Sequence, residues 1–592
     1  MLSRDHVLKF SNYIKLLFIC LITVSLSGCK SATELPVADA DNGGLFLPGG
    51  FDAFVVADST GRARHIAVND NGDIYVKLSS SDKKAGGIIA LRDTTNDGRA
   101  DIIMNIPGMD ERRTGYGTGM IIHKGYLYFS SATTLYRNKL TPGKLIPESE
   151  TEVVLTDDHE HGIHWHITKP VAFDNKGNIY IPFGAPSNAC QDLQETPPNG
   201  VPGGQGLDPC PELELHGGVW KFDAGKTGLT QKDGVEFSTG IRSVVAMDWN
   251  AVDENLYIVM HGRDNLHSLF PKVFTAWQNA VLPSEEFIKV TEGSNFGWPY
   301  CYYDQVQQKK FLAPEYGGNG TIVGRCEDMD LPVMGFPGHW APNALLFYRG
   351  DQFPERYRNG AFIAFHGSTN RTPYPQAGYF VGFVPFENGK PTGEWEVFAD
   401  GFAEVDTIVN TSDAVHRPMG LATGPDGSLY ITDSRKGKIW RVMYKSDPED
   451  FAPAQLAEME LRKSLPHIRT PDEVNDDLQK NLAKDQKLYN TFCGTCHQQN
   501  GRGARGRMPP LTRTDWVAGN KARLINIVLN GLQGPIEVNG ETYNSVMPAH
   551  RFLTDDEISI VLTYIRKSFG NEASAVSAEE VKAVRDKKAV GF

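Results

Sequence analysis

The segment KPVAFDNKGNIYIPFG, Lys169–Gly184, sets two short apolar runs on either side of an Asp-Asn-Lys-Gly turn, with a tyrosine in the second run. Asn, Asp and Gly between two apolar runs signal a hairpin, because these residues accept the conformations that a reversing chain needs. The theme recurs. HIAVNDNGDIYVKLS (His65–Ser79), VAMDWNAVDENLYIVMHG (Val245–Gly262) and MGLATGPDGSLYITDS (Met419–Ser434) repeat it closely, and GMIIHKGYLYFSS (Gly119–Ser131) and LLFYRGDQFPERYRNGAFIAFHGS (Leu345–Ser368) are looser copies. Six such units, irregularly spaced between residues 50 and 445, predict an all-β six-bladed β-propeller, in which each blade covers its neighbour and closure protects the sheet edges. An array of β-sandwiches is the alternative.

At 592 residues the chain exceeds what one core serves, which implies one large and one small domain. Its net charge of −13, with no long basic run, excludes nucleic acid as a natural partner, since phosphate binding needs clustered positive charge. Arg4, Lys9 and Lys15 precede the apolar run LLFICLITVSL, which is signal-peptide order and short for a membrane span. The LSGC that follows, Leu26–Cys29, resembles a bacterial lipobox, which implies a signal peptide over residues 1–28, cleavage before Cys29 and lipid on that cysteine. Lys30 resembles the signal of lipoproteins sent to the outer membrane. The expectation is an exported periplasmic protein, tethered to the membrane through residues 29–49; secretion with an unmodified Cys29 is the alternative.

The eight cysteines then divide. Cys20 leaves with the signal peptide, Cys29 takes lipid, and Cys493 and Cys496 fall in FCGTCHQQNGRGARG, Phe492–Gly506. For Cys190, Cys210, Cys301 and Cys326, the simplest account in an oxidising compartment pairs sequence neighbours, Cys190 with Cys210 and Cys301 with Cys326; other pairings stay open. Residues 446–475, charged and punctuated by Pro448, Pro453, Pro466 and Pro471, read as a linker. Residues 476–570 form a small all-α domain. TDDEISIVLTYIRKSF places Ile558, Val561, Leu562, Ile565 and Phe569 on one helix face, with a Thr554/Glu557 capping box at its start. Residues 571–592 read as a polar, fraying tail.

Cys493-x-x-Cys496-His497 lets two thiols bond the vinyl groups of a haem whose iron His497 then reaches. Met547, in an irregular stretch before the last long helix, supplies the opposite ligand, with Met508 as its rival. The segment from FCGTCH through MPAH to YIR resembles small class I c-type cytochromes, which implies haem c with His497 and Met547 as the axial pair. Gly501–Gly506 satisfies G-x-G-x-x-G, but it follows the haem motif instead of joining a strand to a helix, so it is no dinucleotide site.

His159, His161, His164 and His166 precede a blade strand, and near-neutral imidazole is the usual proton acceptor in alcohol oxidation. GIHWHI, GIRSV, GSNFGWPYCYYD, FYRGDQFPERYRNGAFIAFHGSTNR and HRPMGLATGPDGSLYITDSRKGKIWRVMY resemble the glucose/sorbosone dehydrogenase family, quinoproteins that bind pyrroloquinoline quinone (PQQ) on a six-bladed propeller. The resemblance spans most of residues 50–445. It implies oxidation of a sugar or related polyol or aldehyde, with His164 taking the substrate hydroxyl proton. It also implies that Arg242, Arg371 and Arg417 grip the quinone carboxylates, and that Asp264 and Glu286 assist a calcium ion. Asp93, Asp97 and Asp101 around Gly98 form a second candidate calcium loop. Ser243 after Arg242, and HITKP after the histidine motif, depart from the family pattern. Together these features predict a quinohaem dehydrogenase that passes electrons through its haem to a downstream cytochrome or respiratory chain. The alternatives are a propeller that only transfers electrons or docks a partner, and a lactonase-like hydrolase carrying a cytochrome.

Overall fold

A computed structural model describes residues 35–592 apart from 80–85, 111–117, 160–164, 195, 406, 473–483 and 587–592. The expected signal peptide and Cys29, as well as His161 and His164, lie outside the described residues. Val37–Phe592 forms one compact unit that holds both the strand-rich and the helical part.

Six blade sheets follow one another along the chain, antiparallel except for a short parallel fifth strand, Leu229–Thr230 in blade 2 and Ser294–Asn295 in blade 3. Blade 1 begins with Arg62–Val68 and Ile74–Ser79, blade 2 with Met120–His123 and Tyr126–Ser130, and blade 3 with Ala172–Phe173 and Asn178–Phe183. Blades 4, 5 and 6 begin with Val244–Asn250, Pro342–Phe347 and Pro418–Thr423, each followed by its hairpin partner. Each of the six repeats read from the sequence is therefore the first hairpin of one blade. The first strands of blades 1 and 6, and of blades 4 and 5, pack against each other, which places first strands around a common axis.

Closure comes from the amino-terminal side. The apolar strand Phe51–Ala57 pairs antiparallel with Ile439–Tyr444, from Phe51 opposite Tyr444 to Ala57 opposite Ile439, and so supplies the fourth strand of blade 6. Phe51 is 3% exposed and meets Phe353, Tyr357, Phe398 and Tyr444 at ring-centroid distances of 4.8–5.1 Å, all edge-on. That geometry aligns ring edges with ring faces and adds to the area buried.

Two stretches differ from expectation. The described part of 446–475 is a strap packed on the propeller: Met459 and Ile468 enter the apolar core between blades 4 and 5. Arg462 Nε and His467 Nε2 both reach the buried Asp400, at 2.7 and 3.0 Å. Its prolines break helices without releasing the chain. Nor does the tail fray as far as residue 586: Ser577 caps a helix, Ala578–Arg585, whose Val581 is wholly buried. Lys521–Glu580 at 2.9 Å and Arg585–Asp555 at 2.6 Å hold it to its neighbours. A sparse apolar pattern hid one anchoring residue. The small domain's other described helices are Lys484–Phe492, Gly494–His497, Asp515–Ala518, Lys521–Asn530 and Asp555–Lys567, the last with the expected capping box. It also has a short hairpin, Ile536–Val538 with Glu541–Tyr543, that an all-α expectation leaves out.

Both disulfides pair sequence neighbours, Cys190–Cys210 and Cys301–Cys326. The first staples the long loop between the second and third strands of blade 3. Within that loop Glu212 is buried; its Oε2 accepts from the Ser187 amide at 3.1 Å and its Oε1 has no partner, so burial pushes the carboxyl up to about 7.

Phe51→Ala should lower the unfolding free energy by ~3–5 kcal/mol, read by urea titration, because it empties a buried aromatic site at the ring's closure. The raised carboxyl of Glu212 keeps a proton that the unfolded chain releases. Its contribution is full below about pH 4.5 and is lost as pH rises through about 7. Glu212→Gln should therefore gain on the wild type by up to about 3 kcal/mol between pH 5 and pH 8, measured as the change in their stability difference.

Candidate functional site

In antiparallel hairpins the start of the first strand and the end of the second lie at the same edge. Arg64, Arg242 and Arg417 stand at or just before first strands, and His261 and His366 directly follow second strands, so one end of the axis collects all five. Arg242 is nearly completely buried; its Nη2 meets Asp264 Oδ2 at 2.9 Å and Asn188 Oδ1 at 3.0 Å, and its Nη1 donates to Gly262 O at 2.7 Å. Burial would raise the Asp264 carboxyl, but Arg242, with His339 at 3.7 Å, outweighs it and holds the group down at about 2. Asn370 Nδ2 donates to the other Asp264 oxygen.

Arg417 donates from Nε to His366 O at 3.0 Å and from Nη2 to His366 Nδ1 at 2.9 Å. His366 Nδ1 is therefore the acceptor nitrogen, and Nε2–H faces Ser434 Oγ at 2.7 Å. Burial drives His366 well below its ordinary range, and takes His261 to about 4 and His65 to about 3, so these rings are neutral near pH 7.

Arg371 is different. It is 1% exposed, and among the described residues its Nε and Nη1 have no hydrogen-bond partner; Arg242 Nε has none either. An uncompensated buried charge costs ~3–5 kcal/mol. These cations, unpartnered on one side, fit a ligand with several carboxylates, which guanidinium groups hold through paired N–H donors.

The acidic residues expected to bind calcium do not converge. Alternation along Glu285–Val290 sends neighbouring side chains to opposite faces. Glu285 accepts from the Gly262 and Ala341 amides at 3.0 and 3.2 Å beside the site, whereas Glu286 pairs with Lys310 at 3.0 Å on the other face, away from Asp264. In the loop after blade 1's third strand, Asp93 accepts from the amides of Thr95, Asn96 and Gly98, Asp101 from those of Thr94 and Thr95, and Asp97 from that of Arg99. Those carboxylates brace their own turn. Among the described residues no three His, Cys, Asp or Glu side chains are grouped to hold a metal. His166, two residues beyond the undescribed His164, bonds Ala185 O through Nδ1 at 2.6 Å and lies close enough to Asp264 to help hold that carboxyl down.

In the helical domain Cys493, Cys496, His497, Met508 and Met547 line one largely apolar cavity. His497 Nδ1 bonds Pro509 O at 2.9 Å, which leaves Nε2 for a metal, and burial lowers its basicity so that the ring stays neutral. Pro509 follows Met508, so this bond places Met508 on the His497 side. Met547 is pinned elsewhere, by paired backbone bonds to Leu532 of 3.0 and 2.9 Å. The donor set, two thiols with an imidazole and an apart thioether, fits haem c.

The two sites meet. A Cβ on Gly494, between the haem-attaching cysteines, would stand 3.1 Å from Thr372 Cγ2, next to Arg371. Gln499 Nε2 donates to Pro373 O, and Asn410 Nδ2 to Gly503 O at 3.3 Å. Burial pushes the Cys496 thiol up to about 11, and Asp264 is near enough to add to that shift. The structure thus brings Arg242, Arg371, Arg417 and Asp264 together beneath the haem-attachment turn. Sequence reasoning missed Arg64, His65, Asn188, His261, His366 and Asn370. The signal for two of them was in the repeats, since YIVMHG and FIAFHG both put histidine directly after the second strand.

The carboxy-terminal segment matches the cytochrome c family over residues 482–568. It is 43% identical over 115 residues to cytochrome c-552 of Thermus thermophilus, covering 18% of this chain and 87% of that protein. An uncharacterised protein of Borreliella burgdorferi is 29% identical over 210 residues, or 35% of this chain; the chain spans about half, 48%, of that relative's length. The holo form of the pyranose dehydrogenase PQQ domain from Coprinopsis cinerea superposes with a TM-score of 0.53 at 16% identity, over 69% of this chain and 98% of that one, which shows the shared fold. Residues 46–445 match the TrAA12-like family, and the chain belongs to that family, as a propeller that also carries a cytochrome c domain.

Proposed function

We propose that this protein is a periplasmic, lipid-anchored quinohaem oxidoreductase. In this reading it oxidises a sugar or related polyol or aldehyde with PQQ and passes the electrons to haem c at Cys493 and Cys496, then to a cytochrome or respiratory-chain acceptor. One observation carries the reading: Arg371, buried with two guanidinium nitrogens that have no partner among the described residues, adjoins Thr372, which packs against the haem-attachment turn. Family membership and the shared fold of the pyranose dehydrogenase PQQ domain support it.

Arg371, Arg242 and Arg417 hold the ligand's carboxylates. Asp264 and Asn188 fix the direction of Arg242, and His366 fixes that of Arg417, so little ordering remains on binding. His164 takes the substrate hydroxyl proton, an assignment that rests on its motif. Held in this pocket, PQQ supplies a two-electron acceptor for the substrate's hydride. The thioether bonds, His497 and Met547 hold a haem that supplies one-electron relay, and the carbonyl of Pro509 keeps His497 oriented. Among the described residues no three His, Cys, Asp or Glu side chains group to hold calcium, and no step is assigned to it.

With PQQ added, the full-length haem-loaded protein should show haem reduction by at least one aldose or polyol; bound quinone with an inert haem across a broad panel would leave a propeller that only docks a partner. His164→Ala should keep the haem spectrum and lose about 10²–10⁴ in the rate of haem reduction. Arg371→Ala should weaken PQQ binding about 10- to 100-fold by equilibrium dialysis. Met547→Ala should lower the haem potential and abolish the spectroscopic signature of thioether ligation, whereas Met508→Ala should change neither.

A further inference from the structure

Surfaces of like charge face each other where the two domains meet. The propeller presents Arg64, Arg371 and Arg417; the cytochrome presents Arg507, exposed in the turn closed by the Ala504–Met508 backbone pair. That turn continues from Gly503, which Asn410 holds at 3.3 Å, and its charge acts on both Arg64 and Arg417. Three described carboxylates nearby already have partners, and Glu404 lies 3.4 Å from His416. Asp264 is held by Arg242; Asp433 by His416 at 2.8 Å and by the Arg417 amide at 2.8 Å; and Asp413 by the amides of Val409 and Asn410 at 3.1 and 2.8 Å. Cations from two domains therefore converge here, and one of them, Arg371, is buried with two nitrogens that have no partner among the described residues. Repulsion of this kind opposes docking unless an anion lies between the charges.

We propose that the cytochrome domain completes the anion site. A polycarboxylate gripped from below by Arg242, Arg371 and Arg417, with Arg64 adding its charge nearby, is met from above by Arg507, so that anion binding and docking of the haem-attachment turn strengthen each other. The identity of the anion as PQQ rests on the proposed function. Because coupling between two binding equilibria is reciprocal, whatever loosens docking must weaken the anion by the same factor, and the reverse. The device would hold the haem over the pocket when the quinone is there to reduce it.

The test uses full-length haem-loaded protein, PQQ affinity by equilibrium dialysis and the radius of gyration by small-angle X-ray scattering, both at low ionic strength. Gly494→Leu, which crowds Thr372, should open the protein without quinone, bind PQQ about tenfold more weakly and contract when PQQ is added. Arg507→Glu should move the two readouts in opposite directions. Its quinone-free form should be at least as compact as the wild type, since a repulsion has become an attraction, while PQQ binds about tenfold more weakly. Loss of structure alone would not split them. Wild-type PQQ affinity in Arg507→Glu, or an opened Gly494→Leu with unchanged affinity, would overturn the linkage and leave the proposed function standing. A wild type that binds no PQQ would overturn both.

Discussion

A ring of sheets has no stable form while its last blade exposes an unpaired edge. Here the edge is removed by a strand from the other end of the domain, Phe51–Ala57, zipped along Ile439–Tyr444 and anchored by Phe51 among four aromatic rings. Everything functional follows from that closure. Once the ring is shut, the starts of first strands and the ends of second strands come to one end of the axis. Residues far apart in the chain, Arg64, Arg242, His366 and Arg417 among them, become neighbours there.

The collected charges are unbalanced in a specific way. Arg242 and Asp264 neutralise each other and are aligned by Asn188, Gly262 and Asn370. His65, His261 and His366 are kept neutral by burial and serve as fixed donors or acceptors. Arg371 is buried with two guanidinium nitrogens unmatched among the described residues, and Arg242 with one. The cytochrome sits on the same spot: its haem-attachment turn rests on Thr372 and Pro373, and the strap over 446–472 is fastened to the propeller through Met459, Ile468 and Asp400. A short tether and a docked face raise the effective concentration of the electron acceptor at the pocket.

Much of this was legible in the sequence. The turn chemistry of six hairpins marked the six blades, because Asp, Asn and Gly are needed where a chain reverses, and the C-x-x-C-H run marked the haem site. Arg242, Arg371, Arg417 and Asp264, taken from the family resemblance, do converge. What failed was what depends on side-chain direction. Glu285 and Glu286 differ by one position, yet pleating turns only the first toward the site. The aspartates of residues 93–101 accept from the amides of their own turn, a bracing that their spacing alone does not display. The strap and the final helix bury too few apolar residues to show a period, although Ser577 and Glu580 already spelled a capping box.

The central claim is that the propeller's anion pocket and the haem act as one intramolecular redox unit. Its most direct test is anaerobic rapid mixing of the PQQ-loaded full-length protein with an oxidisable sugar, haem absorbance being followed through the first turnover. The account predicts a first-order rate constant for haem reduction that is the same across a wide range of protein concentrations. A rate that rises in proportion to protein concentration, or a haem that stays oxidised while sugar is consumed, would contradict it.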